Sequence, residues 1–444
     1  MNSGNEVSRA VPRVAYERWL DALAGAGWSV RPGRPGDGTA DGDPVPVGEA
    51  LGRITTAPVV ARWPSPRAAC AAMDGIAVRA ADLPAAPGAS DRTGDGSVRL
   101  PAGVFEWIDT GDPMPASKDT VVMRERLLPQ ADGSMIVVAR ADGCTGNGPE
   151  PRHAEHGRNV RSAGEDFAAG EILVPAGRRL RPGDLSAVAA GGHATVTVAR
   201  RPVVAIIPTG DEIRPVGAVP HGGEIIETNS LMLAARCRQL GAAPAVSAVV
   251  PDDPDTLAAE LRRASAQADL ILVIAGSSRG RDDHVAAVLA QVGGVAVAGV
   301  AIRPGHPALL GHVKRPPASH HHATEQAAIA PVIGLPGYPL ATAVIFELFA
   351  APMVGALTGQ DLIRQRVRAR LDRDWASPAD VEDWVLVTLA HDGEGGVPRA
   401  TPARRGAGSI SLLARADAWW PVPAGQGTFR AGTGIDVLPL PGTG

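Results

Sequence analysis

Aromatic residues are scarce, at 3% of 444 positions, so cores must be built mainly from Ala, Val, Leu and Ile. Cysteine is scarcer: Cys70, Cys144 and Cys237 stand far apart, form no CxxC pair and offer no disulfide framework. A reducing cytoplasm is the expected compartment, and each thiol reads as a packing residue. No apolar stretch is expected to reach the roughly 18 residues that span a bilayer, so no membrane partner is expected. The polar start, Met1 to Arg13, has no signal-peptide core. The net charge is −4 and no basic block occurs, which argues against nucleic acid as a partner. Neither GxxxxGK followed by Ser or Thr nor GxGxxG is present, which weakens NTPase and dinucleotide readings.

What is abundant is punctuation. The 53 glycines and 40 prolines make about a fifth of the chain and favour many turns and β-rich modules. The length suggests about three domains. Val14 to Ala24 has helical apolar spacing ended by Gly25. Residues 29–46 read as a surface loop, and a short helix is expected around Val47 to Leu51. Short strand-like runs such as Val98–Leu100, Val121–Met123 and Met135–Val138 suggest a small β-module over 66–160. From residue 201 the pattern is strand, loop, helix, repeated: strands at Val203–Ile207, Ala243–Val250, Leu270–Ala275, Val295–Ile302 and Ile329–Gly334. Helices fall between them, one opened by the cap Asp253-Pro254, and a last one over Ala341–Leu357. That alternation predicts a doubly wound parallel α/β sheet. Beyond about 358, runs at Trp384–Leu389, Ser411–Arg415, Trp419–Val422 and Ile435–Leu440 predict a C-terminal β-barrel or sandwich. Trp419-Trp420 reads as barrel core or interface. His320-His321-His322 reads as part of an exposed loop rather than a metal site.

Chemistry collects in loops. Pro208-Thr209-Gly210-Asp211-Glu212 directly follows a β-branched strand, where open α/β sheets bind ligands. Taken alone, it reads equally well as a helix cap with acidic first-turn residues. Pro251-Asp252-Asp253-Pro254 follows the second strand, Gly276-Ser277-Ser278-Arg279-Gly280-Arg281-Asp282-Asp283 the third, and Gly334-Leu335-Pro336-Gly337-Tyr338-Pro339 the last. Outside this region, Asp74-Gly75, the Asp109–Pro115 turn and Gly164-Glu165-Asp166 share the character. Glycines let backbone N–H groups approach phosphate, Ser and Arg side chains suit an oxyanion, and strand-end carboxylates suit Mg²⁺. The loops together point to a metal-dependent enzyme acting on a phosphorylated small molecule. Each of them alone fits a plain turn or cap.

The loops, in order, resemble those of the molybdopterin molybdenumtransferase family, which includes bacterial MoeA and the gephyrin E-domain. The resemblance is carried by Ala72-Met73-Asp74-Gly75-Ile76-Ala77-Val78-Arg79, Thr110-Gly111-Asp112-Pro113-Met114-Pro115, Gly164-Glu165-Asp166, Pro208–Glu212, Arg303-Pro304-Gly305-His306-Pro307 and Gly334–Pro339. It spans nearly the whole chain. It implies a split, elongated domain (14–65 and 161–200) interrupted by the β-module (66–160), a molybdopterin-binding α/β domain (201–357) and a C-terminal β-barrel (358–444). It further implies a homodimer with the active site in a cleft shared between subunits. Contacts with the molybdopterin adenylyltransferase and with molybdoenzyme acceptors are implied as well. The implied reaction inserts molybdate into adenylyl-molybdopterin with Mg²⁺, releasing AMP and molybdenum cofactor.

Carried over residue by residue, Asp74, Thr110, Asp166, Glu212, Asp252 and Asp283 match the family's active-site polar positions, with Glu212 and Asp283 near the metal. Gly210, Gly276, Ser277, Ser278, Arg303, Pro336, Gly337 and Pro339 would bind the cofactor moiety. The chain departs from the family where Lys-Pro-Gly-Lys-Pro becomes Arg303-Pro304-Gly305-His306-Pro307, where Tyr338 replaces Asn, and where Arg279 and Arg281 enter a loop of small residues. A related expectation is therefore a paralogue that binds molybdopterin or a related nucleotide as a carrier, without turnover.

Overall fold

The computed structural model describes residues 9–29, 42–83, 97–138, 155–275, 282–316, 328–359, 362, 365–391, 396–404, 406 and 408–440, with the backbone alone at Asp282 and Asp283. Two compact units emerge: residues 35–199, and residues 1–34 together with 200–444.

In the first unit the chain leaves a small core and returns to it. Val47, Ala50 and Val59 pack with Val174, Leu180, Val188, Val196 and Val198. The strand Gly42–Pro46 pairs antiparallel with Thr195–Ala199. Thr55 ties the two passes: its hydroxyl donates to the Pro175 carbonyl at 2.8 Å and accepts from the Arg178 amide at 3.1 Å. Between the passes lie two three-stranded sheets, Glu106–Ile108/Gly75–Val78/Thr120–Met123 and Val98–Leu100/Met135–Val137/Leu127–Pro129. Ile76, Val78, Val98, Leu100, Val122, Met135 and Val137 fill their shared core.

The second unit begins with helix α1 (Pro12–Gly25) and continues with a six-stranded sheet. Its strands are β1 (Val203–Pro208), β2 (Ala243–Val246), β3 (Leu270–Ala275), β4 (Gly293–Ala298), β5 (Leu309–Lys314) and β6 (Ile329–Pro336), in the order β2-β1-β3-β6-β5-β4. Helices α2 (Asn229–Gln239), α3 (Pro254–Ser265), α4 (Asp282–Val292) and α5 (Pro339–Thr358) complete it.

Strand β1 shows why the sheet is sandwiched. Val204 and Ile206 face one core with Trp19, Leu233 and Phe346, while Ala205 and Ile207 face the other with Leu257, Leu261 and Val288. Side chains alternate across a strand, so a continuous apolar run needs helices on both faces. The doubly wound form is as the sequence implies, with one correction. β5, absent from the sequence reading, runs antiparallel to both β6 and β4. The β4–β5 return spans only 299–308, and so short a link allows an antiparallel neighbour but no helical crossover. Helix α1, grouped by the sequence with the split region, packs on this sheet. Trp19 is fully buried and its indole N–H donates to the Gly311 carbonyl at 2.8 Å.

Helix α5 corrects a second expectation. It is long and apolar enough to cross a membrane, with a mean hydropathy of 1.9, yet 67% of that stretch is buried in the fold. Its buried Glu347 accepts from Arg236 Nε at 2.7 Å. It is the core helix of this unit.

The C-terminal region forms a closed five-stranded barrel: β7 (Val367–Leu371), β8 (Glu382–Ala390), β9 (Arg399–Pro402), β10 (Ala418–Val422) and β11 (Gly434–Pro439). Pairing runs β8-β9-β7-β11-β10 and closes through β8–β10. Ser411–Arg415, read as a strand, lies instead in helix α6 (Ile410–Arg415), where Leu, Ala and Arg favour the helical form. Trp419 and Trp420 are core, each set edge-on against another ring, Trp384 and Phe429 respectively.

Candidate active site

In the sheet order, β1 sends the chain outward to β2 and back across to β3, so the switch point lies between β1 and β3. A cavity of about 360 Å³ opens there, at the carboxyl ends of the strands. Pro208, Thr209 and Glu212 line it after β1, and Ile274 and Ala275 line it at the end of β3. Gly337, Tyr338 and Pro339 bring the start of α5, Thr228 and Asn229 the start of α2, and Gly408 and Ile410 the start of α6.

The loop after β1 is held from three sides. Thr209 is buried, and its amide and hydroxyl both donate to the Ile274 carbonyl, at 2.9 and 3.0 Å. The Gly210 amide donates to the Val250 carbonyl. The Asp252 amide donates to Asp211 Oδ1 at 3.1 Å, and the Asp211 amide to Asp252 Oδ2 at 3.4 Å. Gly210 has a φ of +137°, and a Cβ there would lie 3.0 Å from Glu212 Oε2 and 2.8 Å from Ile213. Only glycine leaves room for the Glu212 carboxylate to fold back over its own loop. Thr209, Gly210 and Asp211 thus shape the turn, and Glu212 is the acid of this loop that lines the cavity.

The helices beside this loop start in two different ways. Asp253 caps α3 as the sequence implies, its Oδ2 accepting from the Thr256 amide at 2.8 Å, and Thr256 holds its carboxyl below the usual range. At α2 the Thr228-Asn229-Ser230 run caps nothing through its own side chains. Glu227, the residue before that run, accepts from the Ser230 amide at 2.8 Å. Asn229 instead reaches across to α5, its Nδ2 donating to the Gly337 carbonyl at 2.8 Å. Glu227, Asn229 and Tyr338 are cavity residues that the sequence did not assign to a site. The polar triplet after Ile225-Ile226 was the available signal.

Of the other expected cofactor ligands, Gly337 and Pro339 line the cavity, and Pro336 ends β6 just before them, its carbonyl accepting from the Thr342 hydroxyl. Gly276, Ser277, Ser278, Arg279 and Arg281, the Asp283 side chain, Cys144 and the His320–His322 cluster lie outside the described residues. Arg303 does not line this cavity. It lines a second one, of about 180 Å³, with Trp375, Asp383, Trp384 and Arg404. There its Nε and Nη2 donate to the two oxygens of Asp383, at 3.0 and 2.7 Å. Asp383 is 4% exposed and also accepts from the Ser377 hydroxyl at 2.7 Å. The expected oxyanion ligand is thus half of a bidentate ion pair whose carboxylate is buried and whose guanidinium is half-buried.

The first unit carries its own constellation. Asp74 Oδ1 accepts from both the amide and the hydroxyl of Thr110, each at 2.7 Å. The hydroxyl bond first, then the amide bond, hold the Asp74 carboxyl below the usual carboxylate range, and the Arg124 guanidinium adds to this. Gly75 beside it lets its strand lie close against Thr120–Met123: a Cβ there would stand 1.9 Å from the Val122 carbonyl oxygen. The turn is closed by Gly111, φ +91°, whose amide donates to the Ala71 carbonyl. Asp166 sits on a separate turn, its amide donating to the Ser65 carbonyl at 2.9 Å.

Three family models together match most of this chain: the MoeA N-terminal region (domain I and II) over residues 20–192, a probable molybdopterin binding domain over 205–356, and the MoeA C-terminal region (domain IV) over 368–440. A molybdopterin molybdenumtransferase 2 of Mycobacterium tuberculosis is 30% identical over 403 residues, 89% of this chain and 94% of the relative. A molybdopterin molybdenumtransferase of a Nostoc species is 29% identical over 420 residues, 91% of this chain and 90% of the relative. The crystal structure of a molybdopterin biosynthesis MoeA protein from Pyrococcus horikoshii superposes with a TM-score of 0.73 at 25% identity, covering 97% of this chain and 99% of that one. With fold, loop order and full-length similarity in agreement, the chain belongs to the molybdopterin molybdenumtransferase (MoeA) family.

Proposed function

We propose that this protein is a transferase of molybdenum cofactor biosynthesis that inserts molybdate into adenylyl-molybdopterin, releasing AMP and molybdenum cofactor. The observation that carries the reading is the cavity at the β1–β3 switch point with Glu212 in its wall. Cleaving an adenylyl–phosphate bond develops negative charge on phosphate oxygens, which has to be met where it appears. Strand-end loops rich in glycine present backbone N–H groups to such oxygens.

Mg²⁺ fits this donor set. It binds through one or two carboxylates and completes its shell with water and substrate phosphate. Glu212 supplies one carboxylate, and among the described residues no group of three or more His, Cys, Asp or Glu forms a dedicated metal cage. Glu212 and Asp283 would hold the ion, which when bound would neutralise phosphate charge. Glu212 orients, Thr209 and Gly210 shape its loop, and Asp252 clamps that loop through Asp211. Asp74, Thr110 and Asp166 are proposed as active-site polar residues because they match the family's polar positions. A homodimer in the cytoplasm, receiving substrate from the adenylyltransferase and passing product to molybdoenzymes, completes the reading.

A second reading, binding without turnover, is favoured by one observation: Arg303 is neutralised by Asp383 and is not presented to an oxyanion. Purified protein given adenylyl-molybdopterin, molybdate and Mg²⁺ decides between them. AMP release above the protein-free rate supports transfer; retention of intact substrate supports the carrier.

A further inference from the structure

Large apolar side chains cluster in water around one cavity. Ile225, Tyr338 and Ile410 line the switch-point cavity and are 56%, 50% and 47% exposed. Apolar groups gathered at a concave site, rimmed by a few polar ones, mark a ligand with apolar faces. Tyr338 is one of only two tyrosines in the chain. Its main chain is fixed, because its carbonyl accepts from the Thr342 amide at 2.9 Å. Its ring is backed by Gly408, where a Cβ would come within 3.4 Å of Cδ1. The ring thus forms one wall of the cavity on a fixed stretch of main chain.

At the floor, Asn229 is 8% exposed and lines the same cavity. Its Nδ2 donates to the Gly337 carbonyl, which fixes the orientation of the amide. Its Oδ1 is buried and has no hydrogen-bond partner among the described residues. A buried acceptor left unpaired costs about 1–3 kcal/mol, which a donor on a ligand reaching it would relieve. The described lining holds no Lys or Arg, and its charged members are Glu212 and Glu227. Such a lining favours N–H donors over anions at this end of the cavity.

We propose that Tyr338 is the stacking face, and Asn229 Oδ1 the orienting acceptor, for a flat fused nitrogen heterocycle bearing an amino or ring N–H group. The inference rests on the transfer reading, whose substrate carries two such rings, a pterin and an adenine. Tyr338 is then a specificity residue of this chain, since its family counterpart is asparagine.

Calorimetric titration with AMP and, separately, with neopterin tests it on the full-length protein and its Tyr338→Phe, Tyr338→Asn and Asn229→Leu variants. Wild type binds one of the two, and the one bound names the ring. Tyr338→Asn weakens that binding at least about fivefold, the lower end of one aromatic stacking contact, and Tyr338→Phe preserves it. Asn229→Leu, if its melting curve shows it folded, weakens it about tenfold by removing the acceptor. Binding of neither probe by wild type, or wild-type affinity in Tyr338→Asn, overturns the inference. AMP release with a Tyr338-independent affinity would overturn the heterocycle site and leave the transfer reaction standing. Tyr338-dependent binding without AMP release would do the reverse.

Discussion

The Asp74 carboxylate accepts two 2.7 Å hydrogen bonds from Thr110, one from the amide and one from the hydroxyl, across 36 residues of chain. Both residues are exposed, so the bonds serve less to stabilise the fold than to keep a surface carboxylate ionised and aimed.

Thr110→Ala therefore raises the Asp74 pKa towards the ordinary carboxylate value, while the amide bond holds back part of the shift. The folded-state pKa is depressed, so the stabilisation exists above the unfolded value and is lost as pH falls through the folded one. The variant and wild type accordingly differ slightly in melting temperature at about pH 7 and converge at about pH 2. Carboxyl-carbon NMR titration reads the shift directly, and Thr110→Ser restores it. An unmoved Asp74 titration in Thr110→Ala would contradict the assignment.

Arg303 and Asp383 behave as one unit. Arg303→Met leaves a buried carboxylate without its cation and destabilises the protein by about 3 kcal/mol, discounted for the partial exposure of the arginine. Asp383→Asn in the same chain recovers much of that loss, giving a coupling of about 1–3 kcal/mol in a denaturant double-mutant cycle. Additive effects would mean that Arg303 is not committed to Asp383.

Neighbouring acids in one loop divide the labour. Asp253→Ala removes the cap of α3 and lowers stability in chemical denaturation, with AMP release close to wild type. Asp252→Ala frees the Asp211 clamp on the Glu212 loop, lowering turnover about tenfold or more while melting stays near wild type. The opposite pattern would exchange their roles.

How far these features could be read from the chain follows from how local their causes are. Asp253-Pro254 is legible because a cap and a first-turn proline act within four residues. The β1 loop is legible because a β-branched run ending in Pro-Thr-Gly-Asp-Glu marks a strand end. β5 escapes because Gly311 and His312 break its apolar run, and β7 because arginines alternate through Val367-Arg368-Ala369-Arg370-Leu371. Ser411–Arg415 misleads because a short apolar run fits either helix or strand. Arg303 misleads for a different reason: its partner lies 80 residues away in the barrel, where no spacing rule reaches. Asn229 stands at the start of α2 and ties it to the loop before α5, a partner 108 residues away that no local pattern shows.

The central claim is that Glu212 performs chemistry in the β1–β3 cavity rather than capping a turn. AMP release by Glu212→Gln, measured beside its melting temperature and its retention of adenylyl-molybdopterin, tests it most directly. The account predicts a fall in release of about 100-fold or more, from lost charge stabilisation at the phosphates, with melting and substrate retention near wild type. Wild-type release from a folded Glu212→Gln, or loss of release only because the protein unfolds, would contradict it.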